Sequence, residues 1–355
     1  MAQRLRARPD LSGVAPYVSP QLPARIRLNT NESPYPPPQA VIVEATAALN
    51  SVALNRYPDR DATSLYDALA GHTGRPREGL WVANGSNEVF LHLFLAFGGA
   101  GRRSLTFEPT YSLHTLIARI AATRTTGRRR AENWSVDLEV ALEAIESERP
   151  EIVVLCSPNN PTGTLEALGT VRELAARAPG LVVVDEAYAE FASSSASAVG
   201  LLSEHSNLVV VRTFSKAWAL AGVRLGYMLA APEVIAEMAT VRLPYLLSAP
   251  TQAFGLAALA HASEAAEAAR AVIRERDRLM VELAGLGLKT WPSHANFVLF
   301  EVGDAGAVYE RLLARGVLVR SYEGRPGLES CLRTTVGLPH ETDELLSALA
   351  EALDG

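Results

Sequence analysis

Lys216 has more potential chemistry around it than any other residue of this chain. It lies in the run Leu208–Tyr227, LVVVRTFSKAWALAGVRLGY. A short apolar, β-branched stretch, Leu208–Val211, ends in the polar segment Arg212-Thr213-Phe214-Ser215-Lys216. A helix-like stretch follows, and Arg224 stands eight residues beyond the lysine. An amine near two hydroxyls and a guanidinium can condense with a carbonyl to form an imine while its neighbours hold a phosphate. An ordinary surface lysine at a strand end has the same local look, so the other strand ends must decide.

In open α/β sheets ligands bind beyond the carboxyl ends of the strands. Asn84-Gly85-Ser86-Asn87 follow the strand-like run Leu80–Ala83 and open an apolar helix. Free backbone N–H groups at such a start suit a phosphate, although a simple N-cap uses the same residues. After Ser104–Phe107 comes Glu108-Pro109-Thr110-Tyr111, where Tyr111 could stack on an aromatic ring. After Glu151–Cys156 comes SPNNPTG, Ser157–Gly163, a turn by composition, in which Asn160 could donate to a phenolate oxygen. After Leu181–Val184 comes Asp185-Glu186-Ala187-Tyr188. A carboxylate ending so apolar a strand is costly unless paired, and a protonated pyridine nitrogen would pair it. Five strand ends with compatible groups point to one cofactor, pyridoxal phosphate (PLP).

The elements that would position these groups alternate between strand and helix. Besides the five strands, helical patterns cover Gln39–Leu49, Ser64–Thr73, Glu88–Ala96, Tyr111–Ala121, Asp137–Ser147 and Thr170–Ala178. The alternation predicts an α/β fold with a mostly parallel sheet between helices. Residues 1–40, rich in proline, read as an extended N-terminal arm wrapped over the core or over a partner subunit. Residues 41–243 form the large domain, and the texture changes at Leu243-Pro244. Residues 244–355 read as a smaller α+β domain led by alanine-rich helix, Thr251–His261 and Ala265–Leu286. Its strands are Lys289–Pro292, Asn296–Glu301, Val317–Arg320 and Cys331–Val336, with helices Ala305–Arg315 and Glu341–Asp354. Ser193–Ala198, small and polar, reads as a flexible surface loop.

Composition narrows the partners. A net charge of -6 over 355 residues argues against general nucleic-acid binding. Arg4, Arg6 and Arg8 read as a solvated arm and Arg128–Arg130 as a solvated turn. No signal peptide and no membrane-length apolar run is visible, and Cys156 and Cys331 form no CxxC pair. A cytoplasmic protein without membrane partners is the expectation. The seven histidines are scattered, so no metal site is expected, and no GxGxxG or P-loop pattern follows a strand.

The motifs SPNNPTG, VVVDEAYAEF and RTFSKAWALAGVRLGY resemble those of the class I/II PLP-dependent aminotransferases of fold type I. LNTNESPYPPP, LNRYPDRDA, ANGSNE, FEPTYSLH, RLPYLLSAPTQA, SHANFVLF, GVLVR and CLRTTVG are similar in order and spacing to the histidinol-phosphate branch, from about Tyr17 to Asp343. The resemblance implies that Lys216 anchors the cofactor, that Asp185 pairs with its pyridine nitrogen, and that Asn160 and Tyr188 contact its hydroxyl. Tyr111 would cover the ring, and Ser86, Asn87, Thr213, Ser215 and Arg224 would surround the phosphate. Tyr57 would reach that phosphate from the neighbouring subunit of a homodimer. Arg333 would bind the α-carboxylate of glutamate as a fork, and Arg320 with Tyr17 would meet the substrate phosphate or the distal carboxylate of glutamate.

The chain departs from the family pattern at Ser33, at Ser86-Asn87 and at Trp218, which bears on fine substrate preference. The activity implied is amino transfer between histidinol phosphate and 2-oxoglutarate. Transfer from aromatic amino acids is the nearest alternative on the same scaffold, because a few pocket side chains separate the two. A phospho-amino-acid decarboxylase and a non-catalytic PLP-binding regulator are more distant ones.

Overall fold

In a computed structural model, residues 8–14, 16–17 and 21–354 are described, and Arg4 and Arg6 lie outside them. Seven strands form the main sheet, in the spatial order Leu80–Ala83, Gly226–Ala230, Leu208–Thr213, Leu181–Asp185, Ile152–Cys156, Arg103–Glu108, Arg124–Arg129. All run parallel except Gly226–Ala230, which is antiparallel to both neighbours. The central strands Ile152–Cys156 and Leu181–Asp185 are buried at every position. Helices on both faces leave no room for polar alternation, hence the continuous β-branched runs.

Two strands of the main sheet escape the sequence reading. Arg124–Arg129 carries no apolar pattern because it is an edge strand, partly exposed along its length. The three arginines read as a solvated turn therefore part company: Arg128 and Arg129 lie on that edge, while Arg130 is buried and paired with buried Glu166. Gly226–Ala230 follows a segment that looked helical. After Lys216 the backbone instead makes turns and a single 3-10 turn, Ala221–Val223, with Ala219 (φ 56°) and Arg224 (φ 59°) left-handed. Those two positions interrupt any helix and fold Arg224 back toward Ser215, its Nη1 donating to Oγ at 3.4 Å.

The Ser193–Ala198 segment is pinned rather than free. Buried Glu186 accepts from Ser197 Oγ at 2.8 Å and from Ala198 N at 2.6 Å, and it also receives Arg212. A carboxylate with so many donors fixes a segment whose composition alone suggests a loop.

The second sheet is antiparallel, in the order Arg320–Ser321, Cys331–Thr335, Phe297–Glu301, Lys289–Thr290. The expected strand Val317–Arg320 is split. Val317–Leu318 pairs in parallel with Ile26–Arg27 from the N-terminal region, and Arg320–Ser321 joins the antiparallel sheet. The long helix is broken at His261 into Ala249–Ala260 and Ala262–Gly285. Among the described residues no helix is long and apolar enough to cross a membrane.

Candidate active site

The carboxyl ends of the parallel strands open into a cavity of about 500 Å³, completed by Asn29–Glu32 and by Arg320, Tyr322 and Arg333. Of the sequence-predicted residues, Tyr17, Ser86, Asn87, Tyr111, Asn160, Asp185, Tyr188, Thr213, Ser215, Lys216, Arg224, Arg320 and Arg333 all line it. Tyr57 does not. It is 77% exposed and stacks on Tyr245 at 4.2 Å.

Lys216 Nζ donates to Thr30 O at 3.1 Å and lies 5.9 Å from the Tyr188 ring centre. Burial, reinforced by the Arg333 cation, brings its amine down to about 8 from the ordinary 10.5. The Tyr188 hydroxyl receives Asn31 Nδ2 at 2.9 Å and Asn160 Nδ2 at 3.3 Å, which leaves its own hydrogen available to a ligand. Burial raises the Tyr188 and Tyr111 phenols above their usual range, so both stay protonated.

Asp185 is buried and its two oxygens are steadied separately. His114 Nε2 lies 2.8 Å from Oδ2, and Ala187 N donates to Oδ1 at 3.1 Å. A carboxylate only accepts, so the tautomer with hydrogen on Nε2 is the one that satisfies this contact. His114 also meets Tyr111 edge-on, 5.4 Å between ring centres.

The phosphate-shaped part of the cavity is built from backbone. Helix Ser86–Phe97 starts without a side-chain cap, so its first N–H groups are free for a ligand. Gly85 sits at φ 87°, and a Cβ there would overlap the Arg224 guanidinium. A Cβ on Gly226 would overlap Ser86 N. Glycine at both positions keeps Arg224 close to the helix start, a cradle that fits a phosphate dianion.

On the opposing sheet Arg333 Nη1 donates to Asn160 Oδ1 at 2.6 Å and to the Tyr322 hydroxyl at 3.1 Å, and Nη2 donates to Asn29 O at 2.8 Å. Its Nε is buried without a hydrogen-bond partner among the described residues, a donor that suits an anion. Arg320 faces Arg333 in register on the adjacent strand. The donor set fits PLP: a phosphate cradle, an amine, a buried carboxylate and a phenol in one cavity.

Four participants were not singled out from sequence. Asn29, Thr30 and Asn31 supply the floor contacts to Arg333, Lys216 and Tyr188, and His114 supports Asp185. The polar run Asn29-Thr30-Asn31-Glu32 before a proline-rich stretch was the available signal for Asn31, whose side chain makes its contact, whereas Asn29 and Thr30 act through backbone carbonyls. His114, three residues after Tyr111 and so on the same face of the helix expected over Tyr111–Ala121, was the signal for the fourth.

Comparison with known proteins agrees with this geometry. The chain is 47% identical over 354 residues to histidinol-phosphate aminotransferase of Thermobifida fusca, covering 98% of this chain and 95% of that one. It is 45% identical to the enzyme of the same name from Mycobacterium marinum, covering 98% and 92%. The crystal structure of histidinol-phosphate aminotransferase from Sinorhizobium meliloti in complex with pyridoxal-5'-phosphate superposes with a TM-score of 0.91 at 28% identity, covering 99% of each chain. The family model Aminotransferase class I and II matches residues 24–353. With a lysine, a paired aspartate and a phosphate cradle meeting at the ends of a parallel sheet, the chain belongs to the class I and II aminotransferases.

Proposed function

We propose that the protein exchanges the amino group of histidinol phosphate with 2-oxoglutarate, running from glutamate and imidazole-acetol phosphate in histidine biosynthesis. The observation that carries this reading is that Lys216 shares one cavity with a phosphate cradle and with two opposed arginines. Both amino donors are anionic, so one site must meet an anion besides the cofactor's own phosphate. When bound, PLP supplies an electron-withdrawing ring and a carbonyl that takes up the amino group.

The residues divide the work as follows. Ser86, Asn87, Thr213, Ser215 and Arg224 hold the cofactor phosphate, and Tyr111 covers the ring face. Asp185, steadied by His114, pairs with the ring nitrogen, while Asn160 and Tyr188 contact the ring hydroxyl. Lys216 is the covalent anchor, and once displaced its Nζ is the base that takes the proton from the substrate α-carbon. Arg333 grips the α-carboxylate of glutamate, and Arg320 with Tyr17 meets the phosphate of histidinol phosphate or the distal carboxylate of glutamate. Tyr17, Tyr111 and Tyr322 add aromatic surface to the same cavity.

The active form is a cytoplasmic homodimer in which Tyr57 completes the neighbouring subunit's phosphate site. Its exposure and its position outside its own cavity support that assignment. Within each subunit, residues 1–40 act as an arm, 41–243 as the PLP-binding domain and 244–355 as the smaller domain. A half-reaction screen tests the substrate. The PLP-loaded protein is mixed with histidinol phosphate, phenylalanine, tyrosine or phosphothreonine, and loss of the cofactor's absorbance band is followed. Histidinol phosphate should react fastest at limiting concentration; faster reaction with phenylalanine or tyrosine would overturn the assignment.

A further inference from the structure

Arg119 lies at the far end of helix Leu113–Ile120 from His114 and lines no part of the active-site cavity. It is exposed, yet its guanidinium is committed: Nε donates to Asp10 O at 3.0 Å and Nη2 to Ser12 O at 3.1 Å. In return Arg8 Nη2 donates to Ile120 O at 2.7 Å, at the carbonyl end of the same helix. Residues 8–14 are thus tied to this helix by three side-chain bonds from two arginines.

Tyr17 lies three residues beyond Val14 and lines the cavity with Tyr111 and Tyr322. Three residues of chain span at most about 11 Å, so fixing Val14 confines Tyr17. The arm is fixed again further on. Ile26–Arg27 pairs in parallel with Val317–Leu318, Ile26 N donates to Gly316 O at 3.0 Å, and Arg25 pairs with Glu344. That second anchor ends two residues before Arg320. Tyr17 therefore hangs between one anchor on the Leu113–Ile120 helix and another beside the arginine that meets the distal anion.

We infer that Arg119 is a positioning residue for substrate specificity, holding the arm so that Tyr17 stays at the mouth beside Arg320. The inference rests on the proposed use of a phosphate-bearing substrate, whose dianion leans more on Arg320 and Tyr17 than the singly charged distal carboxylate of glutamate does. Glutamate, gripped at its α-carboxylate by Arg333 as well as at its distal carboxylate, should depend on the arm less.

The test compares Arg119→Ala, Arg119→Lys, Tyr17→Phe and the double variant Arg119→Ala/Tyr17→Phe as PLP-loaded protein. Loss of two charge-assisted bonds should raise KM for histidinol phosphate about 10-fold with kcat little changed. The glutamate half-reaction should change less than about twofold, and lysine at position 119 should recover part of the loss. The double variant should be no worse than Tyr17→Phe alone, because both changes remove the same contact. Multiplying effects, equal losses with both donors, or no loss would overturn the inference. Hydrogen exchange supplies a readout that needs no substrate: Arg119→Ala should speed exchange at Leu11, Ser12 and Val14, whose amides bond within the anchored turn. Unchanged exchange would also overturn it. Failure of the wild-type protein to react with histidinol phosphate would instead strike the substrate assignment, and the exchange result would still judge the anchor.

Discussion

Arg320 and Arg333 stand directly opposite each other on adjacent antiparallel strands, both lining the cavity. Directly opposed residues bring their Cβ atoms to about 5 Å, and like charges there destabilise a sheet. Arg333 is braced by Asn160, Asn29 O and Tyr322, whereas Arg320 forms no ion pair among the described residues. The arrangement is sensible only if anions regularly sit between or beside the two guanidinium groups. Arg320→Ala should therefore relieve repulsion and raise the melting temperature slightly, while raising KM for histidinol phosphate by about 10- to 100-fold. Arg333→Lys should damage both half-reactions, because a point charge cannot replace the fork held by Asn160 and Asn29. Thermal melts and single-turnover absorbance changes with each donor separate the two outcomes.

Gly226→Ala tests the phosphate cradle without touching a charged group. A methyl there would overlap Ser86 N and push the start of helix Ser86–Phe97 away from Arg224. Affinity for PLP should fall at least about 10-fold, since the free N–H groups no longer converge on one point. Fluorescence titration of the cofactor-free protein with PLP reads this directly. Inorganic phosphate should likewise compete less well with PLP in the variant.

The strands that carry the site were legible because a parallel sheet covered on both faces needs unbroken apolar runs. Leu181–Asp185 and Leu208–Thr213 announce themselves, as do the polar residues at their ends. Arg124–Arg129 was not legible, since an edge strand has no buried face to write into its sequence. Thr30 was missed for another reason. Its role is a carbonyl contact to Lys216 across 186 residues, and a backbone oxygen leaves no trace in side-chain pattern. Arg224 comes close to Gly85 and the start of helix Ser86–Phe97 through left-handed turns at Ala219 and Arg224 rather than through the expected helix.

His114 offers a test of how much Asp185 depends on its buried neighbour. His114→Phe keeps an aromatic ring against Phe90 and Tyr111 but removes the one side-chain partner that Asp185 Oδ2 has among the described residues. An unpaired buried carboxylate oxygen costs about 1–3 kcal/mol, so kcat should fall by about 10-fold or more with KM little altered. His114→Gln, which can still donate, should recover much of that loss. Equal kcat in the phenylalanine variant and the wild type would mean that Asp185 is held well enough by Ala187 N.

The Lys216 amine gives the pH dependence a definite sign. In the fold it titrates near 8, lowered chiefly by burial and next by Arg333, against 10.5 for an ordinary lysine. Between those values the unfolded chain holds a proton that the folded chain lacks, so stability of the cofactor-free protein rises with pH across that window. Below about 8 both states are protonated and the full cost of enclosing the cation is present. Lys216→Met should accordingly raise the melting temperature of the cofactor-free protein at pH 7. Its advantage should shrink from pH 8 upward and vanish near 10.5. The same titration governs cofactor capture, which needs the neutral amine. Its rate should climb about 10-fold per pH unit up to the amine's titration point and then level off, as Henderson–Hasselbalch behaviour requires. Stopped-flow mixing with PLP from pH 6 to 10 decides it: a rate still climbing between pH 9 and 10 would show that the cavity leaves Lys216 an ordinary lysine.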